Sequence, residues 1–288
     1  MRDNLQIWNE LFKVRVNLAV ITTTLAGYIL ATGSLSFEVI IPTLGYLVVA
    51  FGGAALNHWQ ERDTDALMDR TKDRPIPSGR ISALIVLLVS ILMMTIGELI
   101  MYVSSNLTAV LCGILSILWY NVIYTPLKRK TLYSVIPGAI MGAIPPIVGW
   151  AMAGGHPFAP EILAFALFIF FWQIPHFWLV TLIYDRQYEN AGLPSISQHL
   201  EPKEICRLIY IWILSTAMCP LLMTFYGSMQ QITLVCVIAA GVWITYIERK
   251  LLNNIETNFD YRKSFREVNL YALSIVLFLT LDKVFYLG

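Results

Sequence analysis

Charged residues are scarce in this chain. They make up 14% of its 288 residues, whereas 57% are hydrophobic, and the mean hydropathy is +0.64. An ordinary soluble domain carries about 25% charged residues and cannot use so much apolar surface in one core. The composition therefore predicts an all-α, polytopic membrane protein, and we expect membrane lipid and no nucleic acid among its partners.

Cysteine is also rare. The chain has four cysteines, and no two of them show the C-x-x-C spacing. Neither a zinc site nor a disulfide framework is indicated. The expected role of these residues is apolar packing.

Apolar stretches of about 20 residues, interrupted by charges or by Pro and Gly, predict nine membrane helices. A soluble helical bundle is the poorer alternative. The predicted spans are 15–34, 37–59, 82–103, 105–125, 133–154, 160–184, 206–226, 230–247 and 267–287.

Basic residues are missing from every second connection between these spans. The loops near 35, 104, 157 and 228 contain no Lys or Arg, and 19 of the 20 basic residues lie in the N-terminal segment and the other loops. Because Lys and Arg accumulate on the cytoplasmic side, we predict a cytoplasmic N-terminus and an external C-terminus. Only Lys283 falls on the outer side.

One stretch of the chain is rich in charged residues. Residues 57–80, NHWQERDTDALMDRTKDRPIPSGR, contain five acidic and five basic side chains. On a helix that continues out of the second span, Asn57, Glu61, Asp65 and Asp69 follow one another at i+4 and share one face. Carboxylates at this spacing repel one another, and oxygen ligands suit Mg²⁺. The stripe therefore predicts a magnesium site formed by Asn57, Glu61 and Asp65.

Cations follow directly after the stripe. Arg70, Lys72 and Arg74 precede the helix-breaking Pro75 and Pro77, and guanidinium groups match phosphate oxygens. The combination predicts a cradle for a diphosphate. The alternative is a solvated cytoplasmic loop whose charges pair with one another.

Two further segments carry polar side chains to the same predicted membrane face. In LIYDRQYENAGLP, Asp185 and Glu189 repeat the i+4 spacing, 124 residues after Glu61 and Asp65, so chance and an internal repeat are both open. In YNVIYTPLKRKTLY, Tyr124, Lys128 and Arg129 end the fourth span. A second metal site and a diphosphate contact are the functional interpretations, and topology alone is the alternative for the basic residues.

Polar residues also lie inside the sixth span. Gln173 and His176 flank Pro175 in FFWQIPHFWLV, and polar residues within the membrane are costly and usually face a cavity. His176 could orient a ring, coordinate a haem iron or transfer a proton, or it could form a hydrogen bond between packed helices.

The sequence resembles the UbiA superfamily of intramembrane prenyltransferases. NHWQERDTDALMDRTKDRPIPSG matches the first aspartate-rich motif of that superfamily, with Asn57, Glu61 and Asp65 at its key positions. The segments YTPLKRKT, GAIPPIVGWAMAGG and WQIPHF look more specifically like the branch that attaches a farnesyl group to heme b. The resemblance covers residues 12 to about 200, and the last three helices match only in hydrophobic character.

This resemblance implies a nine-helix UbiA-type bundle formed by one domain, residues 1–288, in a bacterial inner membrane. It implies heme b and farnesyl diphosphate as substrates, Mg²⁺ as the cofactor, and heme-pathway or oxidase-assembly proteins as possible partners. In this interpretation the magnesium ligands are Asn57, Glu61 and Asp65, with Asp185 and Glu189 at a second site. Diphosphate contacts are implied for Arg70, Lys72, Arg74, Lys128 and Arg129, and substrate contacts for Tyr124, Gln173 and His176.

The chain departs from the superfamily pattern at three positions. Glu61 replaces the more common Asp, Val14 replaces Pro, and Gln187 stands where an acidic residue often precedes Tyr. A quinone precursor or another tetrapyrrole as acceptor, and a non-enzymatic heme-handling protein, are the competing functions.

Overall fold

The computed structural model describes residues 2–226, 229–253 and 259–287. Within these ranges the chain forms fourteen α-helices and no strand, which confirms the predicted all-α class. The helices are α1 Arg2–Leu11, α2 Val14–Thr32, α3 Ile40–Asp65, α4 Ala83–Ser104, α5 Leu107–Ile117, α6 Thr125–Leu127, α7 Val135–Met152, α8 Pro160–Ile183, α9 Asp185–Asn190, α10 Pro202–Met218, α11 Met223–Tyr226, α12 Gln231–Glu248, α13 Lys250–Asn253 and α14 Tyr261–Leu287. A π-helix, Leu118–Tyr124, joins α5 to α6.

Nine helical stretches of the described chain are long and apolar enough to cross a membrane, as predicted. They are Val14–Thr32, Phe37–Asp65, Ala83–Ser104, Leu107–Leu127, Leu132–Met152, Pro160–Ile183, Pro202–Tyr226, Gln231–Asn253 and Tyr261–Phe285. The second span ends at Asp65 and not at 59, and the ninth begins at Tyr261 and not at 267. Gly33 ends the first span early, because it takes the left-handed conformation, φ 72°, that closes a helix.

The length of α3 places the polar stripe. Its 26 residues extend about 39 Å at 1.5 Å per residue, which exceeds the roughly 30 Å of a bilayer core. The last turns of α3, which include Glu61 and Asp65, therefore leave the apolar layer. We call this end of the bundle the site end.

The helices pack into two groups that share α7. In one group α3 packs against α4, and α5 packs against α7. In the other, α8 packs against α7, α10 and α14, and α12 packs against α10 and α14. The second group contains the larger core, in which Phe165, Phe168 and Tyr271 are fully buried.

Small residues bring α2 and α7 into close contact. A Cβ atom added at Gly149 would lie 1.7 Å from the Thr24 carbonyl oxygen, and one at Gly27 would lie 1.9 Å from the Pro146 carbonyl oxygen. Backbones approach this closely between membrane helices only where side chains are small. The segment GAIPPIVGWAMAGG, in which Pro146 and Gly149 lie, therefore forms a close helix contact.

The outer faces of the bundle are apolar. On α4, for example, Leu84, Leu88 and Leu92 are each more than half exposed. Such a face would be unfavourable in water and suits lipid tails. The exposure pattern agrees with the predicted membrane location.

The short helix α1 is joined to α2 at Lys13. This residue adopts φ 44° and ψ 49°, the left-handed region that non-glycine residues seldom occupy. On one side of the junction, the fully buried Leu11 packs in a cluster with Ala55 of α3 and Val86 of α4. The turn directs Lys13 toward α3.

Candidate active site

Three polar side chains line one face at the site end of α3. Asn57, Glu61 and Asp65 are 2%, 5% and 1% exposed, although they are among the most polar residues of the helix. Asp69, the fourth member of the predicted stripe, lies beyond the end of the helix and forms an exposed ion pair with Lys72 at 2.7 Å. The stripe therefore stops at Asp65.

Each buried carboxylate faces one cation. Lys128 Nζ donates to Glu61 Oε1 at 3.0 Å. Arg74 donates from Nη1 to both carboxylate oxygens of Asp65, at 2.8 and 2.7 Å. Burial alone would lower the pKa of Lys128, but the Glu61 carboxylate outweighs this effect and raises it above the usual value. Both pairs are buried ion pairs that join chain segments far apart in sequence.

The amide of Asn57 completes the row. Its Oδ1 accepts a hydrogen bond from Lys13 Nζ at 2.6 Å, and its Nδ2 donates to Thr125 Oγ1 at 3.0 Å. Lys13 Nζ also donates to the Tyr120 hydroxyl at 3.2 Å. Burial, reinforced by the nearby Arg74 guanidinium, lowers the pKa of Lys13 to about 7.

Sequence reasoning assigned Lys13 to topology alone and missed its place in the site. Its position directly before the first span was visible, but the left-handed turn that points it at Asn57 was not. Thr125 was missed too, although it lies between Tyr124 and Lys128 in the YTPLKRKT segment.

The π-helix gives the fourth span its polar face. The Thr125 backbone N–H donates to the Tyr120 carbonyl, five residues back, so this turn holds one residue more than an α-turn. Asn121, which is 1% exposed, donates to the Gly53 carbonyl of α3 at 3.1 Å and to Gln60 Oε1 at 3.2 Å. The wider turn thus fastens the fourth span to α3 beside the carboxylates.

The second acidic pair does not join the first in this structure. Asp185 Oδ1 accepts hydrogen bonds from Ser195 and Ser197, and Glu189 is exposed. The helix that leads to Asp185 breaks at Tyr184, where α8 ends and α9 begins, whereas α3 continues unbroken through Asp65. No group of three or more His, Cys, Asp and Glu side chains that could hold a metal occurs among the described residues.

The segment after α3 contacts the segment after α8 at the site end. The Arg70 backbone N–H donates to Gln187 Oε1 at 3.0 Å, and the Arg70 guanidinium lies 4.8 Å from the centre of the Tyr184 ring. Arg70 is therefore held over Tyr184, not beside the carboxylates. Gln187, one of the departures from the superfamily pattern, makes this contact.

Arg129 lies away from the carboxylates. Its guanidinium donates to the Gln60 backbone carbonyl. With Arg62 and Lys130 it lines a cleft of about 370 Å³ on another face of α3. Of the five cations predicted to hold a diphosphate, Arg74 and Lys128 are the two that contact the α3 carboxylates.

A smaller cavity of about 60 Å³ opens next to Lys128. Its wall includes Tyr124 and Phe177, whose ring centres lie 6.2 Å apart, and Thr181 of α8. Deeper in the bundle, the Gln173 amide lies against Gly142 of α7, where an added Cβ would be 2.3 Å from Nε2. An aromatic and apolar passage therefore starts beside the charged row.

His176 lies between α8 and α14. Its Nδ1 is 2.8 Å from Asn269 Oδ1. Three aromatic rings surround the imidazole, with ring centres at 5.2 Å for Trp172, 5.5 Å for Phe177 and 4.8 Å for Phe265. The histidine does form a contact between packed helices, as one of the two sequence interpretations holds.

The sequence and the fold match a known family. The profile described as UbiA prenyltransferase family covers residues 20–273. The chain belongs to the UbiA prenyltransferase family, and it is an integral membrane prenyltransferase.

Among curated proteins the chain is similar to protoheme IX farnesyltransferases. It is 35% identical to that of Nitratidesulfovibrio vulgaris (strain DP4) over 222 residues, 77% of each chain. It is 30% identical to that of Oleidesulfovibrio alaskensis over 277 residues, 96% of each chain. The resemblance found in the sequence motifs is thereby confirmed, and it extends into the last helices.

Solved structures share the fold at low sequence identity. A digeranylgeranylglyceryl phosphate synthase superposes with a TM-score of 0.78 at 14% identity, over 98% of this chain and 99% of its own. A UbiA homolog from Archaeoglobus fulgidus bound to GPP and Mg²⁺ gives 0.72 at 15% identity, over 96% and 99%. These neighbours support the nine-helix UbiA-type architecture.

Proposed function

We propose that this protein transfers the farnesyl group of farnesyl diphosphate to a vinyl group of heme b, which yields heme O. The observation that carries the proposal is the row of buried oxygen ligands and matched cations at one end of an apolar bundle. The similarity to protoheme IX farnesyltransferases supports heme b as the acceptor. Residues 1–288 would act as one domain.

Asn57, Glu61 and Asp65 would hold Mg²⁺. The donor set fits a hard cation, because it offers an amide oxygen and two carboxylates. Each of these side chains now accepts a hydrogen bond from Lys13, Arg74 or Lys128, so the ion would take over oxygens that these three groups hold. When bound, the ion would neutralise charge on the diphosphate and help it to leave.

The cations of the row would bind the diphosphate once their carboxylate partners turn to the metal. Lys13, Arg74 and Lys128 are within hydrogen-bond distance of the three proposed ligands. Arg70, Lys72 and Arg129 would contribute more weakly, as long-range positive charge at the same end. Asp185 would hold a second ion together with Glu189 through Oδ2, because its hydrogen bonds from Ser195 and Ser197 both go to Oδ1.

The reaction would join the first carbon of the farnesyl chain to the terminal vinyl carbon as the bond to the diphosphate oxygen breaks. Water then adds to the inner vinyl carbon and releases a proton. Tyr124 and Phe177 stand beside Lys128, where aromatic faces stabilise an allylic cation. The apolar passage would keep other water away from that cation.

The porphyrin would bind deeper in the bundle, on the side of Gln173 and His176. His176 lies seven residues before Ile183, the last residue of α8, which is about 10 Å along the helix axis at 1.5 Å per residue. That depth is too great for contact with a phosphate at the site end, and it suits an acceptor that must meet the farnesyl cation. Imidazole is a common ligand of haem iron.

The distribution of basic residues supports a cytoplasmic site end in a bacterial inner membrane. Farnesyl diphosphate would then enter from the cytoplasm. Partner proteins of the heme or oxidase-assembly pathways would supply or accept the porphyrin.

The test is turnover by the purified protein in lipid nanodiscs with reduced heme b, farnesyl diphosphate and Mg²⁺. We expect a porphyrin product whose mass has increased by one farnesyl group and one hydroxyl group, and no product when a chelator removes the metal. A matched reaction replaces heme b with 4-hydroxybenzoate, a quinone precursor. Prenylation of that acceptor and not of heme would show that the acceptor assignment is wrong, and no product from either would refute the function.

A further inference from the structure

Asn269 of α14 makes two hydrogen bonds that together fix the state of His176. Its Nδ2 donates to the Phe265 carbonyl at 2.7 Å, one turn back on the same helix. This bond orients the amide, because only the nitrogen can donate to a carbonyl. The Oδ1 atom must then face His176, and it lies 2.8 Å from Nδ1.

An amide oxygen can only accept a hydrogen bond. The proton of neutral His176 must therefore reside on Nδ1, and Nε2 must carry the free electron pair. Nε2 has no hydrogen-bond partner among the described residues, and it is not one of the fully enclosed atoms. The imidazole thus presents an unprotonated nitrogen that is not fully enclosed.

The surrounding rings restrict how the imidazole can turn. The ring centres of Trp172 and Phe265 lie 5.2 and 4.8 Å from that of the imidazole. A ring flipped by 180° would exchange Nδ1 with Cδ2, so a C–H group would face the Asn269 oxygen and the hydrogen bond would be lost. The hydrogen bond to Asn269 therefore selects the observed orientation.

We propose that Asn269 is a positioning residue that holds His176 with Nε2 free to ligate the heme iron of the acceptor. This inference rests on the proposed function, since it assumes that heme binds at His176. Histidines that ligate metals usually donate their second N–H to a carbonyl or carboxylate, and loss of that partner typically costs about 10–100-fold in affinity. Asn269 belongs to the last span, where the motif resemblance gave no assignment.

The experiment titrates heme b into the full-length protein in nanodiscs and follows the Soret band and the iron–histidine stretching vibration. Asn269→Leu removes the acceptor, and heme affinity should fall by about tenfold or more. Asn269→Asp keeps an acceptor of greater negative charge, so affinity should be retained and the iron–histidine vibration should move to higher frequency. Farnesyl diphosphate binding should not change in either variant.

Tyr271→Phe is the matched control. It removes a hydrogen bond from α14 to the Thr216 carbonyl at 3.4 Å, and it does not touch His176. This variant should bind heme as the wild type does. If Asn269 has only a structural role, its variants should lose thermal stability, as Tyr271→Phe should, and their heme spectra should not change.

The His176→Ala variant distinguishes a wrong heme ligand from a wrong role for Asn269. If this variant binds heme like the wild type, His176 is not the ligand and the positioning role falls with it, whereas farnesyl transfer to heme can still be measured. If His176→Ala loses heme but both Asn269 variants keep wild-type affinity and vibration, the positioning role alone is refuted.

Discussion

At the scale of single residues, the site is built from matched pairs of opposite charge. Glu61 pairs with Lys128, and Asp65 pairs with Arg74, in surroundings where water is largely excluded. Removing one member of a buried pair leaves the other charge without compensation and costs about 3–5 kcal/mol of stability. A substitution at either pair therefore needs a measurement of thermal stability beside its kinetics.

Asp65→Asn should lower turnover by at least about 100-fold, because it removes a proposed metal ligand whose charge matters to the leaving diphosphate. The protein should still insert into the membrane and fold. Steady-state kinetics with saturating Mg²⁺ would measure the loss.

Asp63→Asn is the matched control for that variant. Asp63 lies two residues earlier on the same helix, but its side chain is 75% exposed. Turnover should stay near the wild-type rate. Equal loss in both variants would contradict a specific role for the buried row.

Lys128→Met should weaken farnesyl diphosphate binding by about tenfold or more, since a hydrogen bond to a charged group contributes about 1.5–3 kcal/mol. Lys130→Met removes an exposed cation two residues away that faces the other cleft. That variant should bind like the wild type, so isothermal titration of both distinguishes a specific contact from general positive charge. Unchanged binding in Lys128→Met would remove this lysine from the diphosphate site.

The sequence revealed part of this site and not the rest. The i+4 spacing predicts that Asn57, Glu61 and Asp65 share a face, because helix geometry is local. Lys13 reaches that face through a single left-handed residue, and Arg74 reaches it from a loop. Contacts between residues that are far apart in sequence depend on tertiary packing, and the spacing of residues along the chain does not predict that packing.

At the scale of helices, the distance between packed backbones determines which side chains fit at each contact. The contact between α2 and α7 at Gly149 has no room for a methyl group. The nine spans were predictable because length and hydropathy decide which helices cross a bilayer. The π-helix was not, since nothing in the residues Leu118–Tyr124 distinguishes it from a regular turn.

Gly149→Ala should destabilise the protein by about 1–3 kcal/mol or more, because the new Cβ would have to displace backbone atoms of α2. Thermal unfolding in detergent would report a lower Tm. Gly241→Ala serves as the control, since its Cβ would lie 3.4 Å from the nearest atom, the Ala217 carbonyl oxygen. There the better helix propensity of Ala should leave Tm unchanged or slightly raised, and an equal drop in both variants would contradict the packing argument.

At the scale of the whole molecule, the nine spans found in the described residues predict that the two ends of the chain lie on opposite sides of the membrane. The segment near Gly79 belongs to the site end, next to Arg74 and Arg80. A reporter inserted at Gly79 should therefore be active only in the cytoplasm, and one fused after Gly288 only outside. Finding both reporters on the same side would refute the assignment of orientation. The two reporter activities are compared in membrane fractions that contain equal amounts of the two fusion proteins.

The π-helix also limits how the chain can change in length. Val122, within it, is 64% exposed and faces outward, so its deletion would remove little buried surface. Because the wide turn holds one residue more than an α-turn, deletion of Val122 would let it close into a regular α-helix, and the segments before and after it would keep their orientation. Lys128 would still face Glu61, whereas one further residue inserted there would rotate everything after it by about 100° relative to α5 and move Lys128 away from Glu61. Insertion of an alanine after Val122 should therefore abolish turnover where deletion of Val122 does not, so the wide turn is a place where the chain can lose a residue but not gain one.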